Sequence, residues 1–189
     1  MRVAGGKFGG RALVAPSDAR VRPTSDKVRQ ALFNILAHRD LGDFTLENAA
    51  AIDLFCGTGA LGIEALSCGA KFCLFVDDDA ESRALVRENV ETMKLTGVSK
   101  IWRRDAADLG PLGSGSGGPF NLAFIDPPYR KRLADKCLAS LKAGGWLAPG
   151  ALAVFERGRD EPDPETPGFE TLDTRDYGAA RVHFLRLAQ

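Results

Sequence analysis

The sequence is poor in the side chains that bind metals and in long apolar segments. It has two histidines in 189 residues, and its cysteines, at 56, 68, 73 and 137, form no Cys-x-x-Cys pair. A zinc site, or any other metal site, is therefore not expected. No run of about 18 apolar residues occurs, and the first residues show no apolar stretch of the kind found in secretion signals. We therefore expect no membrane span and a cytoplasmic protein with reduced cysteines.

Net charge is also lacking, with 25 Lys or Arg against 25 Asp or Glu. This balance argues against a nonspecific polyanion binder, but the charges are unevenly distributed. Residues 1–29 carry seven Lys or Arg against two Asp, a net charge of +5, whereas residues 156–176 carry three Arg against eight Asp or Glu, a net charge of −5. We interpret the basic segment as a docking surface for an anion. A solvated arm is the alternative that charge alone leaves open.

Apolar runs alternate with helical patterns from residue 50 onward. The runs are 50–55, 72–77, 98–103, 121–125, 151–156 and 181–187, and helical spacing occurs at about 59–68, 79–94 and 130–142. This alternation predicts an α/β fold with a parallel sheet and helices on both faces. Residues 1–22 suit a hairpin-like arm more than a core element, a helix is predicted from about 24 to 38, and the Gly/Ser-rich stretch 110–119 predicts a flexible surface loop.

The first apolar run ends in a glycine turn, residues 57–62, that fits the G-x-G-x-x-G pattern. Glycines there let the backbone approach a nucleotide-like ligand, whether it carries a pyrophosphate or only an adenosyl group. Asp53 favours a ligand with an adenosyl group and no pyrophosphate, because a carboxylate is unfavourable beside pyrophosphate and favourable beside the ammonium and sulfonium of S-adenosylmethionine. We therefore predict that S-adenosylmethionine is the cofactor and that it contacts Asp53, Phe55, Gly57, Thr58 and Gly59.

Acidic residues also follow the second and third runs. Asp77 lies about 20 residues past the glycines, from where a carboxylate can accept hydrogen bonds from ribose hydroxyls, and Asp78 belongs to the same predicted contact. The next residue, Asp79, suits the N-cap of the following helix. Asp105 or the backbone N–H of Ala106 could reach the adenine. A purely turn-forming role is the alternative for Asp105.

The segment Asp126-Pro127-Pro128-Tyr129 follows the run 121–125. Its two prolines fix φ and remove two N–H donors, so the loop presents acceptors. An amine about to be methylated needs acceptors that orient its N–H bonds, which the Asp126 carboxylate and the Pro127 carbonyl could supply, and Tyr129 could stack on the ring that bears the amine. In isolation the tetrapeptide could equally be a turn with a buried Tyr. Its place after a strand downstream of the glycine turn favours the catalytic interpretation, because both loops would face one crevice.

Together these motifs resemble class I S-adenosylmethionine-dependent amino-methyltransferases. Residues 5–11 (GGKFGGR), residues 22–34 (RPTSDKVRQALFN) and Tyr177-Gly178 before the last run resemble more narrowly the bacterial RsmD family. That family methylates the N2 amine of one guanine in 16S ribosomal RNA. The resemblance covers nearly the whole chain. It departs from the family pattern at Asp77, where Glu is usual, and at residues 113–118, which lengthen a loop.

The resemblance implies a Rossmann-like, seven-stranded, mostly parallel sheet whose last strand runs antiparallel. It implies a basic extension and helix at 1–45, a methyltransferase domain at 46–189, and a monomer that acts on 16S rRNA within a 30S subunit or an assembly intermediate. Asp126, Pro127 and Tyr129 are the implied catalytic residues. The candidates for RNA contacts are Lys7, Arg11, Arg22, Arg29, Pro128 and Tyr129, and Thr24 is the candidate for the edge of the cofactor site.

Three other functions compete with this one. Another amino-methyltransferase, acting on adenine N6 or a glutamine amide, would more often have Asn in place of Asp126. An NAD(P)-dependent oxidoreductase could use the glycines and Asp77, but it would leave the Asp-Pro-Pro-Tyr segment without a role, and no Tyr/Lys or His pair suits hydride chemistry. A noncatalytic RNA-binding or assembly module draws its support from the basic arm.

Overall fold

A seven-stranded sheet forms the centre of the computed structural model, which describes residues 1–16, 26–128 and 133–188. Its strands are β1 (Ala50–Leu54), β2 (Phe72–Val76), β3 (Ser99–Trp102), β4 (Phe120–Ile125), β5 (Leu147–Gly158), β6 (Phe169–Tyr177) and β7 (Ala180–Leu187). They lie in the order β3-β2-β1-β4-β5-β7-β6. The first five strands pair in parallel, and β7 is antiparallel to both β5 and β6. The predicted mostly parallel sheet with an antiparallel last strand is confirmed.

Helices cover both faces of the sheet, as predicted. They are α1 (Asp26–His38), α2 (Ala60–Ser67), α3 (Ala80–Thr92) and α4 (Ala134–Ala143), with 3-10 turns at Gly6–Phe8 and Thr96–Val98. Apolar side chains of α1, α2 and α3 pack on one face in a single cluster, and those of α4 pack on the other. Because the central strands are buried on both faces, they appear in the sequence as continuous apolar runs.

The chain changes direction across the sheet between β1 and β4. From β1 it proceeds outward through β2 and β3, then returns to β4 on the other side of β1. In open parallel sheets, ligands bind beyond the carboxyl ends of the strands at such a reversal. The fold therefore places the loops after β1 and β4 at the preferred ligand position.

Strand β6 overlaps the acidic segment 156–176. None of the apolar runs predicts this strand, and only the resemblance implies a seventh one. Its side chains are mostly exposed or half-buried. It pairs along its length with β7, and ion pairs from Arg39 to Asp173 and from Arg186 to Glu170 flank it. Backbone pairing and surface charge define this strand, so it carries little apolar signal.

The Gly/Ser-rich stretch 110–119 is a surface loop, as predicted, and parts of it also pack on aromatic side chains of the sheet. Ser116 is 2% exposed. A Cβ added at Gly117 would lie 2.5 Å from the Phe72 ring, so the backbone itself covers this aromatic side chain. The Trp146 indole N–H donates to the Gly110 carbonyl at 2.7 Å. Glycine is needed here because the backbone lies directly on aromatic rings.

The N-terminal arm, residues 1–16, is hairpin-like, as predicted, but it is also part of the core. Arg2 and Ala12 form an antiparallel bridge. Val3 and Leu13 are 2% and 5% exposed and pack in the same cluster as α1, α2 and α3. Apolar anchors therefore hold the arm on the helices beside the glycine turn.

Candidate active site

The chain leaves β1 through a left-handed turn that opens α2. Phe55, Gly57 and Gly59 have φ values of 57°, 53° and 76°. For Phe55 this conformation costs roughly 1–2 kcal/mol, and such strain is typical of functional loops. A Cβ on Gly59 would lie 2.4 Å from Val86 Cγ2, whereas a Cβ on Gly57 would meet only the Phe55 carbonyl oxygen, at 3.9 Å. Gly59 therefore permits packing on α3, and the Gly57 side is open to a ligand.

Two carboxyl groups hold this turn. Asp53, in β1 and 2% exposed, accepts a hydrogen bond from the Gly62 N–H at 2.9 Å. Asp77, just past β2 and 7% exposed, accepts from the Gly57 N–H and the Asp79 N–H, each at 3.0 Å. Because an ionised carboxylate can accept about four hydrogen bonds, Asp77 can fix the turn and still accept from ribose hydroxyls.

The electrostatics behind the turn favour a cation. Burial raises the pKa of Asp53 to about 8, opposed by the Gly62 hydrogen bond and reinforced by the charge of Asp77. Burial also raises the pKa of Asp77, which the hydrogen bonds from Gly57 and Asp79 partly offset. A positive group placed beside these carboxyls would stabilise their ionised forms. A sulfonium or ammonium ligand therefore fits this site better than a pyrophosphate.

The other two acids of the 77–79 cluster differ in environment. Asp79 is the N-cap of α3, and its Oδ2 accepts from the Ser82 N–H at 2.7 Å, as predicted. Asp78 is exposed beside the turn. Its contact with the cofactor stays a prediction.

Asp105 lies three residues beyond β3, and its Oδ1 accepts from the Ala107 N–H at 2.8 Å. This bond forms the turn that the sequence offered as the alternative role. Asp105 is exposed and Ala106 is 3% exposed. An adenine contact by either residue stays a prediction.

The Asp-Pro-Pro loop starts beside the glycine turn. In the parallel pairing of β1 with β4, Leu54 is opposite Ile125, and neighbouring strands lie about 4.8 Å apart. Asp126, which follows Ile125, is therefore beside Phe55, which follows Leu54 and begins the left-handed turn. Asp126 is half-buried, Pro127 is buried and Pro128 is exposed. Tyr129, predicted to stack on the substrate, lies outside the described residues.

A cleft borders this loop on the β5 side. Its lining includes Pro127, Pro128, Leu133, Phe155, Arg157, Pro162, Asp163 and Pro164. Arg157 fixes one wall, since its Nε donates to His183 Nε2 at 3.0 Å and its Nη2 pairs with Asp163. Burial and the charge of Arg157 lower the pKa of His183, consistent with an unprotonated Nε2. The lining also includes the acids Asp135 and Glu161, and Phe155 is 2% exposed with its ring stacked on His183.

Of the predicted phosphate contacts, Lys7 and Arg11 are exposed on the arm. Their charged groups lie 5.5 Å and 5.6 Å from the centre of the half-buried Phe8 ring. Arg29 is a correction, because it is 0% exposed and its guanidinium bonds Asp26, Glu64 and the Arg2 carbonyl. A buried, paired guanidinium cannot contact a phosphate. Arg22, the remaining predicted phosphate contact, and Thr24, predicted at the edge of the cofactor site, lie outside the described residues.

Comparison with known proteins places the chain in a family. The family model described as Conserved hypothetical protein 95 matches residues 1–186. Ribosomal RNA small subunit methyltransferase D of Escherichia coli is 35% identical over 168 residues, which cover 88% of this chain and 79% of that protein. The chain belongs to the RsmD family. The protein of the same name from Haemophilus influenzae is 30% identical over 164 residues, which cover 86% of this chain and 81% of that protein.

A solved structure supports the RsmD-family fold. The Escherichia coli protein yhhF matches with a TM-score of 0.82 and 28% sequence identity, covering 100% of this chain and 98% of that one. The predicted Rossmann-like class I methyltransferase fold is thereby confirmed.

Sequence reasoning missed the residues that anchor the arm of this RsmD-family chain. Glu64, in α2 and 1% exposed, accepts from the Ala4 and Gly5 N–H groups at 2.8 Å and 2.6 Å. Ser67 accepts from the Phe8 N–H at 2.9 Å and donates to the Gly5 carbonyl at 2.6 Å. Glu64 could have been noticed as the one acid in an otherwise apolar helix, but its partners lie about 60 positions away.

Two kinds of feature are absent from the described ranges. No group of three or more His, Cys, Asp or Glu side chains within them is arranged to hold a metal ion. Within the same ranges, none of the helices has the length and apolar character needed to cross a bilayer.

Proposed function

We propose that this protein transfers a methyl group from S-adenosylmethionine to the exocyclic N2 amine of a guanine in 16S ribosomal RNA of the small subunit. The observation that carries the proposal is the side-by-side placement of the glycine turn and the Asp-Pro-Pro loop, at the ends of β1 and β4. The RsmD-family relatives named as small subunit rRNA methyltransferases support the substrate class. The resemblance to the family supports the choice of guanine N2.

The cofactor would lie over the open side of Gly57. Asp77 would accept hydrogen bonds from the ribose hydroxyls, and the Asp53 carboxyl would face the positive charge from beneath the turn. Phe55, Thr58 and Gly59 would shape the remainder of this side of the site. S-adenosylmethionine supplies an electrophilic methyl group on its sulfonium.

Asp126 and the Pro127 carbonyl would orient the acceptor amine. Both N–H bonds of a guanine N2 amine need acceptors if its lone pair is to be directed at the methyl carbon. The Asp126 carboxylate can accept one bond and then take the proton that the amine loses. The rest of the rate enhancement would come from alignment of the two substrates on adjacent strands.

The RNA would contact the arm and enter the cleft beside Pro127 and Pro128. Lys7 and Arg11 offer two exposed charges to phosphates, and both charges lie over the half-buried Phe8 ring. A base taken out of its stack would enter the cleft beside the exposed Pro128. Stacking by Tyr129, a phosphate contact by Arg22 and a cofactor contact by Thr24 stay predictions.

The test is transfer of labelled methyl groups from S-adenosylmethionine to 30S subunits and to naked 16S rRNA, both from cells lacking this protein. Nucleoside analysis of the product should give N2-methylguanosine from one site, and the preferred substrate would show whether ribosomal proteins complete the docking surface. Label in N6-methyladenosine, or in glutamine of a ribosomal protein, would contradict the guanine assignment and leave an amino-methyltransferase. RNA binding without any cofactor binding would support the assembly-factor alternative.

A further inference from the structure

Asn89 is a buried polar side chain that the proposed chemistry does not use. It lies in α3 and is 1% exposed. Its Oδ1 accepts from the Val14 N–H at 2.7 Å, and its Nδ2 donates to the Val14 carbonyl at 3.0 Å and to the Thr58 carbonyl at 2.9 Å. One amide thus joins the arm, through Val14, to the glycine turn, through Thr58.

Only an amide of this length can make the three bonds together. The side chain must present one acceptor and two donors. Aspartate would keep the bond from the Val14 N–H and lose both donated bonds, while alanine would lose all three. Loss of the bond to the Thr58 carbonyl would remove a partner from a buried backbone group, which proteins avoid, whereas the two bonds to Val14 are only partly buried.

Asn89 joins segments that contact different ligands under the proposed function. Thr58 lies between Gly57 and Gly59, so the position of its carbonyl sets the shape of the turn that would hold the cofactor. Val14 follows the segment that carries Lys7 and Arg11 and, like them, is exposed. The Thr58 hydroxyl also lies 3.8 Å from the Met1 sulfur, a second contact between turn and arm.

We propose that Asn89 is a positioning residue that makes cofactor binding and RNA binding mutually favourable. When the cofactor orders the turn, the fixed Thr58 carbonyl holds the Asn89 amide, which in turn holds Val14 and the basic arm. Coupling of this kind is reciprocal, and typical values are roughly 5- to 150-fold in affinity. The inference rests on the proposed function for the identities of its two ligands.

The first test needs no RNA. Hydrogen exchange at the amides of Val3, Gly10, Leu13 and Val14 should slow when S-adenosylhomocysteine binds to the wild-type protein. Asn89→Asp, measured at a saturating concentration of S-adenosylhomocysteine, should lose this effect. Val14→Pro removes the N–H that bonds Asn89 at an exposed position of the arm and keeps the Val14 carbonyl that accepts from Asn89, so it should weaken the link and partly release Val3, Gly10 and Leu13.

The second test measures the dissociation constant of S-adenosylhomocysteine with and without a saturating 16S rRNA fragment. The ratio should be about fivefold or more in the wild type, should approach one in Asn89→Asp and should fall in Val14→Pro. Asn121→Ala is the matched control, since the Asn121 Oδ1 accepts from the Ala50 N–H at 2.7 Å, at the opposite end of β1 from the turn. This variant should keep the wild-type ratio, and thermal melting would verify that all variants are folded.

The outcomes separate the inference from the proposed function. A ratio of one in the wild type, or an unchanged ratio in both Asn89→Asp and Val14→Pro, would overturn the coupling while RNA methylation still stood. If no RNA binds, the proposed function fails, and the exchange experiment alone decides whether cofactor and arm are coupled. A general loss of stability would lower both affinities in these variants without bringing their ratio to one.

Discussion

The glycine turn after β1 is held by its neighbours in the sheet, whereas the N-terminal arm is held by side chains that reach it from three helices. Asp53 and Asp77 bond the turn from the strands directly beside it. The arm depends on Glu64, Ser67 and Asn89, which are 59 to 75 residues from their partners. The cofactor side is therefore specified locally, and the RNA side by a few long-range contacts.

The sharpest contrast should come from Asp126 and Asp77, which lie just past β4 and β2. Asp126→Ala should lower the rate of methyl transfer by roughly 100- to 10,000-fold, the usual contribution of a general base, with little change in cofactor affinity. Asp77→Ala should weaken cofactor binding and leave the rate at saturating cofactor much closer to normal. Calorimetry with S-adenosylhomocysteine and single-turnover assays would measure the two effects. Equal losses of affinity and rate in Asp126→Ala would refute this division.

Glu64→Ala should detach the arm and destabilise the protein. It leaves Arg29 buried with one fewer partner and removes the acceptor of two backbone N–H groups. Breaking a buried ion pair from one side costs about 3–5 kcal/mol. The matched surface variant, Arg39→Ala, breaks a pair whose arginine is 43% exposed and should cost less than about 1 kcal/mol. Urea denaturation of both variants measures the difference, and similar losses would contradict the role of burial.

On the cofactor side, Gly59→Ala should disturb the core as well as the turn. The alanine must adopt a φ near 76°, and its Cβ would lie 2.4 Å from Val86 Cγ2. We therefore expect the free energy of unfolding to fall by roughly 2–5 kcal/mol, together with weaker cofactor binding. Gly178→Ala has a similar φ of 62° with no atom within 4 Å of the added Cβ. It should cost roughly 1–2 kcal/mol. Thermal unfolding of these two variants separates the effect of steric overlap with Val86 from that of backbone strain. Equal shifts in melting temperature would show that the overlap contributes nothing.

The smallest expected effect is a pH dependence confined to the cofactor side. Folding raises the pKa of Asp53 from 3.8 to about 8, so between these values the folded protein keeps a proton that the unfolded chain has lost. The stability contributed by this group is thus present below about pH 4 and is lost as the pH rises through about 8. A cationic ligand prefers the ionised carboxylate, so its affinity should rise with pH up to about 8 and then level off.

Calorimetry with S-adenosylmethionine from about pH 6 to 8 would measure this trend, with a limit of about tenfold per pH unit. The neighbouring thiols of Cys56 and Cys73 should not contribute, because burial raises the pKa of each well above its usual value. Asp53→Asn should give an affinity that is independent of pH in this range. An unchanged slope in that variant would assign the titration to another group, Asp77 being the nearest.

The same contrast explains what the sequence could predict. The turn, the acids at 77–79 and the Asp-Pro-Pro loop are short motifs attached to apolar strands, so their types and positions were readable. The burial of Arg29 could not be predicted from the sequence, because its partner Glu64 is 35 residues away and an arginine in a basic segment looks like a surface charge.

Other features left no local signal for a different reason. Strand β6 forms because β7 offers it backbone hydrogen-bond partners along its length. The side chains of β6 are mostly polar and half-buried or exposed, so they form no apolar run. The 110–119 stretch looks like a linker until Phe72 and Phe120 are found beneath its glycines. Asn89 is one amide in a helix, and its role depends on Val14 and Thr58, which the fold brings from 75 and 31 residues away.

The most direct test of the account is nucleoside mass spectrometry of 16S rRNA from cells that lack this protein, complemented with the wild type or with Asp126→Ala at matched expression. The account predicts that one N2-methylguanosine per 16S molecule is absent without the protein, returns with the wild type and stays absent with Asp126→Ala. An unchanged N2-methylguanosine content in the deletion strain, or full restoration by Asp126→Ala, would contradict it.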